Sequence, residues 1–372
     1  MNTHRSRRTG LDRLVSALRQ VSKYSLSGAL LALTGCVPSP NLISVSPDGR
    51  FVVVPVNQAG TAVMLKDASS IIRIDLKTND VQVIGPNRNG AFWMNVSSDV
   101  IAYGLLGDEL SVMIHAGNET PVAIKNAVFP NLSSDGKFVA YSISTSNDGT
   151  LTADSRLMKH DVKTGKAIDL KLPGTAPEFS PDGKRLLFVT SDASGVTSVE
   201  IADSDGGNRK KISVIEADLP NIFKPRWIDN NTLLYRAKTK DTGDDAELFF
   251  ATIDGKTEQV TANDIEDVTP IAAGKDRIVW RELAVGSTPQ HGDDVLPLWV
   301  SEKKNGKWTS RELGIKALAI AMVGDDLIYA SAAENEGFSL RRCNLSKPQE
   351  STDVLALIKE KVKDLPASTG GK

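Results

Sequence analysis

The sequence predicts an all-β fold, a β-propeller of seven four-stranded antiparallel blades, with six blades as the alternative. Three observations predict it. A turn-and-strand pattern recurs seven times, a second hairpin series runs in phase between its copies, and the shared period is that of one blade. The pattern is clearest at Phe179-Ser180-Pro181-Asp182-Gly183-Lys184-Arg185-Leu186-Leu187-Phe188, at Leu132-Ser133-Ser134-Asp135-Gly136-Lys137-Phe138-Val139-Ala140-Tyr141 and at Val45-Ser46-Pro47-Asp48-Gly49-Arg50-Phe51-Val52-Val53-Val54. Each copy is a short strand, a turn and an apolar strand. Pro presets the turn's φ, Asp bonds to nearby backbone, and Gly accepts the positive φ that side chains resist.

Weaker copies follow at Val96–Tyr103, Trp227–Tyr235, Gly274–Trp280 and Gly324–Tyr329. The last bulky residue of each copy is Val54, Tyr103, Tyr141, Phe188, Tyr235, Trp280 and Tyr329, spaced 38 to 49 residues apart. Between them run Lys77-Thr78-Asn79-Asp80, Lys163-Thr164-Gly165-Lys166, Asp205-Gly206, Asp254-Gly255 and Asn305-Gly306, and the three Asx-Gly pairs among them are strong hairpin signals between apolar runs. Two hairpins per period make a four-stranded blade. A β-sandwich would need both series to be in phase by coincidence. The propeller is expected over residues 41–358, followed by a flexible tail, residues 359–372. Val354 to Leu365 has apolar spacing that suits either an outer strand closing the ring or a short helix.

Residues 1–35 read as an address rather than as part of the domain. Six Lys/Arg precede a short apolar run, Leu26 to Leu33, and the segment ends Leu33-Thr34-Gly35-Cys36. Basic, then apolar, then small residues make a secretory signal. The last four residues resemble the lipobox of bacterial lipoproteins, which implies lipidation of Cys36 (a palmitate-type anchor) and a short linker over residues 36–40. Export through the twin-arginine route, suggested by Arg7-Arg8, is the lesser alternative. The protein is thus expected to be lipid-anchored in the cell envelope, on the periplasmic face of the outer membrane. Removing residues 1–35 leaves 38 basic and 45 acidic side chains, a net of −7. Such a chain has no electrostatic attraction for nucleic acid. With 40% apolar and 24% charged residues the composition is globular, which excludes collagen-like, disordered and polytopic membrane classes.

The Ser-Pro-Asp-Gly-Lys/Arg turn and its following strand, preceded by Pro-x-aromatic at Pro177-Glu178-Phe179 and Pro225-Arg226-Trp227, resemble the WD40-like repeat of the TolB family. The resemblance covers most of residues 41–350. It implies the fold, an exported compartment and a habit of binding other proteins. The departures are a lipoprotein-type signal, no expected α/β domain ahead of the propeller, and seven repeats against the six usual for TolB.

No catalytic constellation is apparent. Gly337-Phe338-Ser339-Leu340-Arg341 approaches the Gly-x-Ser-x-Gly nucleophile elbow, but Arg341 replaces the closing Gly and the segment reads as a strand. His115 and His160 fall at equivalent positions of two blades and read as solvated turn residues. No paired His spacing suggests catalytic zinc. Cys343 reads as a small buried hydrophobe. The loops Asp241-Thr242-Gly243-Asp244-Asp245 and His291-Gly292-Asp293-Asp294 form a candidate interaction surface, and Asp244, Asp245, Asp293 and Asp294 are a weak calcium candidate. No cofactor is expected. On the innermost strands, Ser44, Asn95, Asn131, Glu178, Arg226, Pro270 and Ala319 are candidates to line the channel, and Glu178 and Arg226 sit on adjacent blades. The expected function is a non-enzymatic envelope lipoprotein whose propeller binds another envelope protein, through the long loops at residues 144–154 and 238–247. The alternatives are a channel-centred glycan-binding or hydrolytic propeller and a calcium-dependent binding module.

Overall fold

The structure, a computed structural model, describes residues 43–56, 70–86, 91–97, 99–106, 110–117, 119–143, 155–192, 196–215, 224–238, 246–262, 265–284, 296–332 and 338–363. Cys36, Asp241, Asp244, Asp245, His291, Asp293 and Asp294 lie outside these residues, as do the leader and the 144–154 loop.

Seven four-stranded antiparallel sheets form, each from four consecutive strands. Blade 1 is β1 (Ser44–Val45), β2 (Phe51–Val56), β3 (Ser70–Asp75) and β4 (Val81–Pro86). Blade 2 is β5 (Ala91–Val96), β6 (Val100–Leu106), β7 (Leu110–Ala116) and β8 (Val122–Lys125). Blade 3 is β9 (Ala127–Leu132), β10 (Phe138–Ile143), β11 (Arg156–Asp161) and β12 (Ala167–Pro173). Blade 4 is β13 (Thr175–Phe179), β14 (Arg185–Ser191), β15 (Thr197–Asp203) and β16 (Lys210–Ile215). Blade 5 is β17 (Arg226–Trp227), β18 (Thr232–Lys238), β19 (Ala246–Thr252) and β20 (Thr257–Gln259). Blade 6 is β21 (Ile265–Ala273), β22 (Arg277–Ala284), β23 (Leu296–Lys304) and β24 (Lys307–Ala317). Blade 7 is β25 (Ala319–Val323), β26 (Asp326–Ala332), β27 (Phe338–Asn344) and β28 (Ser351–Asp353), and a helix follows, α1 (Val354–Lys363).

The first strand of each blade is innermost. Those of neighbouring blades pack on one another from blade 1 to blade 5, from blade 6 to blade 7 and from β25 back to β1, while blade 6 meets blade 5 through β21 on β19, so the ring closes around a central channel. The seven marker residues from Val54 to Tyr329 occupy one register of the second strands and all are buried. Each shares a core with the preceding blade: Tyr103 with Phe51 and Val53, Tyr141 with Ala102 and Ile114, Tyr329 with Val279 and Leu298. The hydrophobic core is therefore the series of clefts between blades, and the spacing in sequence is the spacing of those clefts.

The repeated turn is specified by side chains. The Oγ atoms of Ser46, Ser133 and Ser180 accept the N–H of Phe51, Phe138 and Arg185 at 2.9–3.0 Å. The same hydroxyls donate to Asp48, Asp135 and Asp182, whose Oδ1 atoms accept the N–H of Arg50, Lys137 and Lys184 at 3.1 Å. Gly49, Gly136 and Gly183 take φ near +71°, where a Cβ is disfavoured. The outer hairpins follow the second series, and Asn305-Gly306 has positive φ at both residues, as a type I′ turn requires.

Blade 7 exchanges no strand with blade 1 among the described residues; α1 joins them instead. The side chain of Asp353 caps the helix by accepting the Ala356 N–H at 3.0 Å. Val354, Leu355 and Ile358 enter a core that holds Val52, Val54 and Ile72 of blade 1 and Ile328, Ala330 and Leu340 of blade 7. Lys361 Nζ then reaches the β3–β4 turn of blade 1, at 2.9 Å from the Asn79 carbonyl and 2.8 Å from Asp80. The two alternatives for this segment thus resolve in favour of the helix, which runs to Lys363.

Candidate binding site at the channel mouth

One inward position of the first strands can be followed round the whole ring by register: Ser44, Asn95, Asn131, Glu178, Arg226, Ala272 and Ala321 pair with Val53, Ala102, Ala140, Leu187, Leu234, Val279 and Ile328. Ser44, Asn95, Asn131, Glu178 and Arg226 share this register in blades 1 to 5. In blades 6 and 7 the layer falls two residues later than Pro270 and Ala319, where the first strand is followed by neither the turn Ser of blades 1 to 4 nor the Pro-x-aromatic marker of blades 4 and 5. The layer is polar over five consecutive blades and alanine over two.

The polar members are joined from blade to blade. Asn95 Nδ2 donates to the carbonyls of Trp93 (3.0 Å) and Pro130 (2.8 Å), and Asn131 Nδ2 donates to Asn95 Oδ1 (3.3 Å). Asn131 Oδ1 accepts the Phe179 N–H at 2.8 Å, and Glu178 Oε1 accepts the Trp227 N–H at 3.1 Å. Trp227 Nε1 adds a bond to the Glu178 carbonyl at 3.0 Å. These bonds satisfy strand N–H groups that face the neighbouring blade rather than a ladder partner.

Local backbone prepares this arrangement. Trp93, Phe129 and Ala176, each two residues before a polar member, have φ of 50–53°, and the first-strand pairing of all three blades is bulged there. A bulge redirects side chains at the cost of backbone strain. It brings the Trp93 and Phe129 rings to 3.8 Å between centroids.

The Glu178 carboxylate is answered by Lys224, whose Nζ lies 3.6 Å from Oε2 and donates to the Pro177 carbonyl at 2.8 Å. Burial lowers the Lys224 pKa, as does Arg226, while Glu178 opposes the shift. Lys224 is a partner that sequence reasoning missed; only its place just before Pro225 hinted at it.

Above this layer is a cavity of about 240 Å³. Asn95, Asn131 and Arg226 are among its polar walls. Met94 of blade 2 and Ile320 and Met322 of blade 7 give it an apolar side. Pro47 and Ser133 also line it, so it lies at the channel end that carries the first-to-second strand turns. The second strands end at the opposite side of the ring, and the second-to-third connections, expected from sequence to be the contact face, have residues outside the described ones in every blade. Of the channel candidates, Asn131 and Arg226 border the cavity and Glu178 is spent on Trp227 and Lys224.

Other candidates fall elsewhere. His115 and His160 are not turn residues but occupy equivalent positions of third strands, paired with Ile101 and Val139. His115 Nε2 lies 3.0 Å from the Tyr103 hydroxyl, and His160 is buried. Burial lowers both imidazole pKa values and pushes Tyr103 up to about 12. Ser339 sits in β27 with its hydroxyl 2.9 Å from that of Ser331, in a strand and not an elbow. Cys343 is buried between blades 6 and 7, its thiol pushed up to about 11 by burial. Among the described residues no cluster of His, Cys, Asp or Glu is arranged to hold a metal ion.

No family model matches the chain. A stretch of 109 residues, 28% of the chain, is 28% identical to the uncharacterized peptidase YuxL of Bacillus subtilis (strain 168), and covers 16% of that protein. Among solved structures the chain is similar to a Mycobacterium tuberculosis puromycin-hydrolyzing peptidase, with a TM-score of 0.56 and 12% identity over 89% of this chain and 55% of that one. TolB from Acinetobacter baumannii is also similar, with a TM-score of 0.46 and 16% identity over 82% of this chain and 76% of that one. The chain therefore spans about half the length of the matched peptidase and a small part of the curated relative. The structural likeness is one of fold. The expectation that the chain has no enzymatic role is corrected here: the relative detected by sequence is named a peptidase, and so is a protein of similar fold.

Proposed function

We propose that this propeller serves peptide hydrolysis by holding short peptide segments at the mouth of its central channel. The observation that carries the reading is the cavity itself, ringed by first strands, with a polar side and an apolar side. At about 240 Å³ it is smaller than the ~300–1,000 Å³ of typical ligand pockets, which suits a chain end rather than a folded domain. The peptidase names of the relatives support the substrate class. The Leu33-Thr34-Gly35-Cys36 sequence supports a lipid-anchored envelope location for the same activity.

Photo-crosslinking tests the reading. The full chain is irradiated with diazirine-bearing tetrapeptides, and the modified residues are identified by mass spectrometry. Adducts at Asn131, Ala321 and Met322, reduced by excess unlabelled peptide, are expected. Adducts confined to the outer strands, or insensitive to competition, overturn it.

A further inference from the structure

The fold carries a conformational device at the seam of blades 7 and 1: we propose that α1 is a releasable strap, and that its seating sets the wall of the channel-mouth cavity on that side. The device concerns the cavity itself and stands whatever the cavity holds.

Three observations lead to this. The first is that helix and cavity share one core. Val354, Leu355 and Ile358 of α1 belong to a cluster with Val52 and Val54 of blade 1 and Ile328 of blade 7. Ile43 is a member of the same cluster, and Val45 and Ala321 pack against it. Those last three residues also line the cavity. One contiguous set of apolar contacts therefore runs from the outer rim of the seam to the inner wall, and a close-packed interior transmits a displacement from one end to the other.

The second is how the seam is fastened. At its inner end β1 is two residues long and pairs with β2 through Ser44–Val53 and Val45–Val52. At the mouth, Gly49 of blade 1 lies so close to Val323 of blade 7 that a Cβ there would collide with it, an apolar approach. Elsewhere lysines stitch neighbouring blades at the rim by reaching the third-to-fourth strand turn of the next blade. Lys159 Nζ donates to the Ser204 carbonyl and Lys210 Nζ to the Ile253 carbonyl, both at 2.6 Å. At the blade 7–blade 1 seam the lysine that reaches this turn is Lys361, which donates to the Asn79 carbonyl at 2.9 Å and is carried by the helix.

The third is the length of α1. It has ten residues, below the ~12–15 at which a helix holds its shape alone in water. Val354, Leu355 and Ile358 are buried while Leu357 is exposed, so the helix depends on the seam for one face only. Helix formation and seating are then a single event, and the segment is either docked and helical or released and unwound. Openings of one short element are the low-energy end of native-state fluctuation. On release the seam loses three buried side chains together with the Lys361 bond. The wall at Ile43, Val45 and Ala321 loses the core behind it, and the cavity widens toward the seam.

Hydrogen exchange of the full chain, read by mass spectrometry at low urea concentrations, tests the device without any ligand. In the wild type, α1 and the wall segments β1–β2 and β25–β26 should open together, with one common dependence on urea. Their protection should be at least about tenfold lower than that of β14 and β15 in blade 4. In Ile358→Ala, α1 and both wall segments should speed up by the same factor. Lys361→Gln, which leaves the core intact, should speed the same segments by about two- to threefold. Wall segments as protected as blade 4 beside a fast-exchanging α1 overturn the coupling between strap and cavity. So does acceleration confined to α1 in either variant. An α1 as protected as blade 4 overturns the strap itself, because the helix then leaves only when the whole ring unfolds. Should Ile358→Ala fail to fold, the wild type and Lys361→Gln decide on the same terms.

Discussion

Ile358→Ala tests whether α1 holds the ring shut. Ile358 is fully buried, in a core shared by blade 1, blade 7 and the helix. Truncation beyond Cβ forfeits about 2 kcal/mol of transfer free energy at ~0.8 kcal/mol per methylene. The cavity left in a seam between two rigid sheets raises the loss to roughly 3 kcal/mol. A propeller of this size should unfold in urea with a slope of about 3 kcal/mol per molar, so the midpoint falls by about 1 M. Tryptophan fluorescence reports it, since Trp280 is fully buried and Trp227 nearly so. Leu357→Ala is the control on the same helix: its side chain is 56% exposed and the change should stay within about 0.5 kcal/mol. Equal midpoints for the two variants would refute the idea that the helix bridges first and last blades in solution.

Gly49→Ala and Gly183→Ala both force a side chain into φ near +71°, at a cost of about 1–2 kcal/mol. A Cβ on Gly49 also collides with Val323 of blade 7, whereas one on Gly183 meets nothing within 4 Å, so the melting temperature should fall further for Gly49→Ala; equal shifts would count against the tight approach of blades 1 and 7. Stability should also fall as pH drops below about 6.5, the ordinary histidine value. Burial lowers the folded-state pKa of His115 and His160, so the unfolded chain binds more protons there and the stabilisation present above that value is progressively lost toward the lowered one. Urea midpoints at pH 7.5 and 5.5 measure it, and His160→Gln should flatten the slope; an unchanged slope would remove His160 from the account.

The repeat was legible because one side chain per blade is buried against the preceding blade and the Ser-x-Asp-Gly turn is built from local bonds. Val54, Tyr103 and their counterparts mark the clefts, and Ser133 and Asp135 close their turn with no help from distant residues. The inward layer was legible where a turn Ser or the Pro-x-aromatic marker ends the first strand, as at Asn131, Glu178 and Arg226, and slipped by two residues at Ala272 and Ala321, whose strands end in neither. Lys224 and the bonds from Asn95, Asn131 and Glu178 to the next blade were not legible, since they join residues 35 to 49 apart in sequence. The left-handed backbone at Trp93, Phe129 and Ala176 was hidden too, because residues of these types rarely adopt it without tertiary support. His160 reads as polar in sequence, yet its place on a third strand, opposite Val139, buries it.

The seam that unites Val52 and Val54 with Ile358 joins parts of the chain about 300 residues apart. At ribosomal rates of ~5–20 residues per second, roughly 15 to 60 s pass between emergence of the two. Throughout that interval the outer face of the first blade has no permanent cover, and a row of branched aliphatic side chains stands open to any sticky neighbour. Newborn molecules are thus most exposed to chaperones, proteases and mispairing at the very surface that becomes the last to be sealed.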